Sequence, residues 1–523
     1  MFAIVLAVAL SLVLPGVLSQ QSAQAAVRHP KTPSTLTFHA NGYFQVAKKG
    51  RHWYFVTPQG APFYAAAIDT VTAQGDIDQT TGQCPYCQAV AANYPNLAAW
   101  DSTTLSRLRS WGVTTLGSFS DYQSLGSQMP YEVSLSMASG NDWFEPSFVT
   151  HADQVAATQV APLANDPNVV GFFTDTEITW GPPNIPDTLL DEYMRLPAGS
   201  PGLAVAQQYA GNPSGFLFAL ATRYFQVTTA AIRQYDPNHL ILGVKAEGQE
   251  IQPQLLEAAR PYVDVFSLED YELQPGLASL VHFLYPYYLP VQANLADFYK
   301  YAKRPLLIGE YAFIATGPQD PNTHPGIYLL SPDQQSRATA FENYIAPLYE
   351  NAPWVVGDSW FEWFDEPAGG RPGDNENDNF GMVNIQDQPY PTMVSAMQLM
   401  HSVISSRVVQ PGSQCGSWTN SGGGVTCNVV VPGQTYPIAV VTTTLPAGVV
   451  GQRYSSAVYA GGGRPPYHYS IVNGSLPPGL RFSGRNDSIS GTPRQAGTFS
   501  FTVHVADSAG SVAATQMLSI SVT

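Results

Sequence analysis

Val169-Val170-Gly171-Phe172-Phe173-Thr174-Asp175-Thr176-Glu177-Ile178-Thr179-Trp180 is an apolar run that ends in a carboxylate. Arg304-Pro305-Leu306-Leu307-Ile308-Gly309-Glu310-Tyr311-Ala312-Phe313 repeats the pattern. Continuous apolar runs of this length are what parallel strands buried on both faces use. In a (β/α)8 barrel the reactive groups sit at the C-terminal ends of the strands. Two carboxylates meeting across that face are the chemical minimum for cleaving a glycosidic bond, one as acid/base and the other as nucleophile or base.

The rest of the chain supplies the other strands. Strand candidates are Phe63–Ile68, Thr114–Leu116, Glu132–Leu135, Val169–Thr174, Leu240–Val244, Val263–Leu268, Leu306–Gly309 and Val355–Phe361. Helical stretches separate them, as over Gly215–Tyr235, which Asp236-Pro237-Asn238-His239 ends. This alternation predicts an α/β fold, a (β/α)8 TIM barrel over residues 36–402, entered through β-hairpins in residues 36–64. An open doubly-wound sheet is the runner-up, but no Gly-rich phosphate loop follows an early strand. After residue 402 the composition turns to Gly, Ser, Val and Pro, so residues 403–437 read as a linker. Residues 438–523 carry short alternating strands, such as Phe499-Ser500-Phe501-Thr502-Val503-His504-Val505, and predict a C-terminal Ig-like β-sandwich.

The 523 residues carry a formal net charge of −16. That balance argues against nucleic acid as a partner and raises no objection to a neutral polysaccharide or oligosaccharide. Residues 1–26 pair a short apolar run with Ala23-Gln24-Ala25 and read as a signal peptide, although no Lys or Arg precedes the run. An uncleaved anchor is the alternative; no later stretch is apolar enough to cross a bilayer. The expected location is secreted, periplasmic or at a bacterial cell surface.

An even count of four cysteines in an exported chain points to disulfides. Cys415 and Cys427 bracket a Gly/Ser/Asn-rich loop and are expected to pair. Cys84-Pro85-Tyr86-Cys87 has the form of a thiol-redox motif, but no thioredoxin-like unit surrounds it, so a local structural disulfide is expected.

Glu177 stands between apolar residues and Trp180-Gly181, and burial beside an aromatic raises a carboxyl pKa as a general acid requires. Asp175, two residues earlier, is expected to point the same way. Glu310 must stay ionised as a nucleophile, which calls for donors, and Tyr271 just past the sixth strand is placed to be one. Trp360 and Trp363 are candidates to stack on a sugar ring, and Trp180 and Thr176 to contact the substrate. No metal or cofactor is expected at the site. The loop Asp374-Asn375-Glu376-Asn377-Asp378-Asn379 offers oxygen ligands for a structural Ca2+, without the spacing of a known calcium loop. No Gly-x-Ser-x-Gly elbow or His-Glu-x-x-His is present to support other hydrolytic chemistries.

Phe172–Trp180 and Pro305–Phe313 resemble the acid/base and nucleophile strands of the retaining clan A glycoside hydrolases, closest to agarase-type and β-galactosidase-type enzymes. Trp53–Phe63, Leu108–Gly117, Trp143–Phe148, Asp236–Leu240 and the run through Pro367 extend the likeness over residues 40–402. It implies Glu177 as acid/base and Glu310 as nucleophile. It also implies that Thr176 replaces the Asn that usually contacts the sugar 2-hydroxyl, which bears on which sugar is read. Leu476-Pro477-Pro478-Gly479-Leu480, Ile489-Ser490-Gly491-Thr492-Pro493 and Gly497-Thr498-Phe499 resemble the turns of bacterial Ig-like domains. The expected protein is therefore an exported retaining β-glycoside hydrolase of agarase, β-galactosidase or glucanase type. The alternative is a non-catalytic carbohydrate-binding or adhesion protein on the same scaffold, against which the intact Glu177 and Glu310 pair argues.

Overall fold

The computed structural model describes residues 36–523 apart from 182–187, 249–250, 272–297, 316–327, 410–414, 421–424, 430–438, 441–444, 446, 459, 462–467, 484–487 and 507–512. All eight expected strands form: β1 Ala65–Ile68, β2 Thr115–Leu116, β3 Tyr131–Ser134, β4 Val169–Thr176, β5 Leu240–Glu247, β6 Phe266–Glu269, β7 Leu306–Tyr311 and β8 Val355–Trp360. Each pairs with the next in parallel, and β8 returns to β1 through Gly357↔Ala65 to Trp360↔Ile68. That closing pair makes a barrel and excludes the open sheet.

Local chemistry sets the connections. The helix Pro213–Tyr235 starts where the Asn212 side chain accepts from Gly215 N at 3.1 Å, with proline in the first turn. It stops before Pro237, where Asp236 Oδ1 takes the backbone N–H groups of Asn238 and His239 at 2.9 and 3.0 Å. His239 then bonds Asp236 and, at 2.8 Å, the carbonyl of Asp166, tying the entry of β5 to the entry of β4.

The barrel interior has two layers. Toward the N-terminal ends of the strands, Val170, Phe173, Leu242, Val265, Leu307 and Val356 pack with Phe44 and Phe55. Phe55 belongs to a three-stranded antiparallel sheet, Gln45–Lys49, His52–Val56 and Pro62–Phe63, which plugs that end. Toward the C-terminal ends the interior turns polar, with Asp69, Glu132, Lys245, Ser267, Glu310 and Ser359 all buried. An apolar floor under a charged layer confines the polar groups to the face where the loops meet.

The helix Pro391–Val409 runs past residue 402, and a hairpin, Cys415–Asn420 with Val425–Val429, lies within 403–437. Cys415 and Cys427 sit on its two strands, and their side chains lie outside the described residues. A disulfide joins Cys84 to Cys87 at the start of the helix Pro85–Asn93. The C-terminal residues form two antiparallel sheets, Tyr454–Ala457, Ser488–Gly491 and Leu480–Ser483 in one, His468–Gly474, Gly497–Ala506 and Ala513–Val522 in the other. Phe501, Val503 and Val505 alternate into the sandwich core with Leu518, Ile520 and Val522. Residues 1–26, read as an export signal, lie outside the described residues; among those described, no helix is long and apolar enough to cross a membrane.

A Cβ added at Gly357 would stand 2.6 Å from the carbonyl oxygen of Ala65 and 2.7 Å from its Cβ. The β8–β1 closure therefore needs glycine there. Gly357→Ala is expected to destabilise the fold by about 1–3 kcal/mol, read as a lower midpoint in thermal unfolding; an unchanged midpoint would mean that the seam yields freely.

Candidate active site

Glu177 and Glu310 both follow irregularities in their strands. The β4–β5 register slips between Phe173 and Asp175, and β7 slips against both neighbours between Ile308 and the strand end. A bulge re-aims the side chains beyond it. Glu177 additionally has φ 53°, a left-handed backbone uncommon outside glycine. The outcome is a cluster at the centre of the face: one carboxylate oxygen from each of Glu177, Glu269 and Glu310 lies within 4.8 Å of the other two.

Three carboxylates this close cannot all be ionised unless cations intervene. Lys245, projecting inward from β5, donates to Glu310 Oε1 at 2.5 Å and to Asp69 Oδ2 at 2.8 Å, with its side chain wholly buried. Burial alone would lower the Lys245 pKa, but Asp69 and Glu310 outweigh it, so the ammonium stays charged. Tyr271 donates to the other oxygen of Glu310, Oε2, at 2.8 Å. Burial, followed by the Glu310 charge, pushes its phenol well above the usual range, so it remains a donor. Asp69 also accepts from Ser359 and is pushed up to about 6, chiefly by burial, with Lys245 opposing.

The other two carboxyls behave differently. Burial, then the Glu310 charge, raises Glu269 well above the ordinary range. Glu177 is raised by partial burial and then by Glu310, Glu247 and Glu376, yet it keeps one side open to solvent. Deeper in the barrel, Glu132 on β3 is fully buried and pushed up to about 8 by burial and Asp69. The trio of glutamates would also admit a cation by spacing, although Lys245 already brings a positive charge to Glu310.

Several expected site residues lie elsewhere. Asp175 faces outward: it accepts from Ala138 N at 3.1 Å and from the Tyr224 hydroxyl on the helix Pro213–Tyr235. The slip between Phe173 and Asp175 breaks the alternation that would have aimed it with Glu177. The three tryptophans are core residues. Trp180 is 1% exposed among Trp143, Tyr224 and Phe225. Trp360 is fully buried and donates to the Phe380 carbonyl at 2.9 Å. Trp363, equally buried, stacks on Trp111 and donates to Tyr86 Oη at 2.8 Å. Thr176 is half-buried, paired across the backbone with Lys245. The 374–379 loop is held by Arg371, which bonds Asp374 at 3.0 Å and Glu376 at 2.7 Å, so these two carboxylates already share a positive charge.

Lys245, Asp69 and Glu269 were missed by sequence reasoning. Asp69 and Glu269 stand at or just past the C-terminal end of a barrel strand, the position that made Glu177 and Glu310 stand out, and Lys245 stands two residues before one.

With this geometry in place, comparison with known proteins is informative. The barrel is similar to β-agarases. Beta-agarase B of Vibrio sp. (strain JT0107) is 25% identical over 473 aligned positions, covering 68% of this chain and 47% of the relative. Beta-agarase A of the same strain is 23% identical, covering 66% and 39%. The chain thus spans about half or less of the curated relatives it matches. Among solved structures, an agarase superposes with TM-score 0.62 at 24% identity over 72% of this chain and 65% of that one. An exo-β-agarase gives 0.59 at 21% over 72% and 67%. Residues 428–523 match the family model described as "Putative Ig domain".

Tyr224→Phe removes the donor that holds Asp175 outward, and about 1–3 kcal/mol of stability should go with it. Thermal unfolding reads this; equal midpoints for the variant and the wild type would show that Asp175 does not depend on that bond.

Proposed function

We propose that this chain is an exported retaining β-glycosidase acting on a β-linked polysaccharide, with agarose as the first to test. The observation that carries the reading is the meeting of Glu177 and Glu310 at the ends of β4 and β7, with oxygens within 4.8 Å. Retaining enzymes hold the pair about 5–5.5 Å apart, while inverting ones leave about 6.5–9.5 Å for a water.

The two glutamates have environments suited to different roles. Glu310, bonded by Lys245 and Tyr271, is the nucleophile: a carboxylate oxygen attacks the anomeric carbon as the bond from that carbon to the leaving oxygen breaks. Glu177, raised by burial and by neighbouring carboxylates, gives its proton to the leaving oxygen. In the second step Glu177 takes a proton from water, the water oxygen bonds the anomeric carbon, and the ester to Glu310 breaks. The export signal, the polysaccharide and the likeness to agarases are mutually consistent, since a polymer must be cut outside the cell.

Product release from agarose, other β-linked galactans, glucans and aryl β-glycosides tests the reading. Glu177→Gln is expected to lose about 10²–10⁴-fold in kcat, and Glu310→Gln more. Azide should partly rescue Glu177→Ala, yielding a β-glycosyl azide, and that variant should lose the basic limb of the pH–rate profile. The raised Glu177 places that limb above the ordinary glutamate value of 4.5. A wild type that binds polysaccharide but cleaves none of the panel would make the barrel a binding scaffold.

Lys245→Met should lower kcat/KM about tenfold or more, because Glu310 loses its charged hydrogen-bond donor. Lys245→Arg should retain more of the activity. An unchanged kcat/KM in Lys245→Met would show that the ammonium does not support the nucleophile.

A further inference from the structure

Burial takes Trp180, Trp360 and Trp363 out of reach of a sugar ring, so a platform must be sought elsewhere among the described residues. We infer that Phe119 is that platform, receiving the C–H face of a pyranose ring beside Glu310; this inference rests on the proposed glycosidase reading.

Phe119 follows β2 at the C-terminal face of the barrel and is 51% exposed. Among the described residues, the only other aromatic in the set of exposed large apolar side chains is Phe218, which lies on the helix Pro213–Tyr235 and not on a loop directly following a barrel strand. The Lys245 ammonium lies over the Phe119 ring, 5.2 Å from its centroid, and the same nitrogen is 2.5 Å from Glu310 Oε1. One ammonium therefore separates the aromatic ring from the candidate nucleophile. With the cation at one face, about half of the side chain remains open to a ligand. The electron-rich face of an aromatic ring attracts polarised C–H groups, and apolar ring faces with a few placed polar groups are how sugar-sized ligands are gripped.

The backbone supports the assignment independently. Phe119 has φ 63°, a left-handed conformation that a bulky residue adopts only when its surroundings hold it there. Thr70, just past β1, has φ 57° and donates from its N–H to the Ser118 carbonyl at 2.8 Å. Val71 N donates to Ser120 Oγ at 3.0 Å and Asp121 N to the Val71 carbonyl at 3.0 Å. These bonds stitch the loop carrying Phe119 to the loop after β1 on both sides of the ring. Strain maintained by such bonding, and spent on keeping an apolar ring in solvent, serves a ligand better than it serves the fold.

The test uses the full chain in the Glu310→Gln background, with and without Phe119→Ala or Phe119→Trp. The probes are hexasaccharides of agarose, β-1,4-galactan and cellulose, with binding measured by calorimetry and sugar proton shifts by NMR. The expected result is that at least one probe binds, with ring-current upfield shifts of its C–H protons. Phe119→Ala should abolish those shifts and weaken binding at least about tenfold, and Phe119→Trp should retain both. In the active enzyme, Phe119→Ala should raise KM more than it lowers kcat, whereas Lys245→Met should lower kcat. Binding and shifts that survive Phe119→Ala would overturn the platform and leave the catalytic pair untouched. Failure of all three probes to bind would overturn the platform, and the glycosidase reading falls with it if the wild type also releases no product from the same sugars.

Discussion

A single buried ammonium organises the catalytic face. Lys245 lies between Asp69 and Glu310 with no exposed surface, and each oxygen it touches belongs to a different strand of the barrel. Desolvating one cation and two carboxylates is costly, and removing one member of such a set usually costs more than the set contributes. That asymmetry makes the arrangement a constraint on geometry more than a source of stability. The positions of Glu310, Asp69 and Ser359 follow from it, and Tyr271 takes the one Glu310 oxygen that the lysine does not. The apolar floor beneath, from Val170 round to Val356, keeps water from reaching the ammonium from below.

Strain gathers at the same rim. Thr70, Phe119 and Glu177 all have left-handed backbones within three residues of the ends of β1, β2 and β4. Both strands that carry the glutamate pair are bulged before it. A parallel barrel with regular strands sends alternate side chains inward and outward, and the slips change which residues at the ends of β4 and β7 face the centre. The irregularities convert a repetitive scaffold into a site, as expected where a ligand rather than the core dictates side-chain direction.

The barrel was legible because its strands are apolar runs bounded by helical stretches, a signal that tertiary packing does not alter. Glu177, Glu310 and Tyr271 were legible because each directly follows such a run. Asp175 was not, since a one-residue slip in register reverses which side of the sheet it faces. The tryptophans misled for a related reason: Trp360 and Trp363 lie in or beside β8, but the helices outside the barrel decide that they are packing residues. Lys245 was hidden inside Leu240-Ile241-Leu242-Gly243-Val244-Lys245, where a charge reads as the end of a strand, although the strand continues to Glu247. Phe119 was hidden because exposure of an aromatic leaves no mark in sequence.

The identity of the nucleophile is the claim on which the proposed chemistry turns, and Glu269 stands close enough to compete for it. The most direct measurement is peptide mapping by mass spectrometry after incubation with a 2-deoxy-2-fluoro β-glycoside of the cleaved sugar, which slows release of the covalent intermediate. One glycosyl unit per chain, carried on Glu310, is the predicted result. A label on Glu269, or full turnover of the natural substrate with no label anywhere, would contradict it.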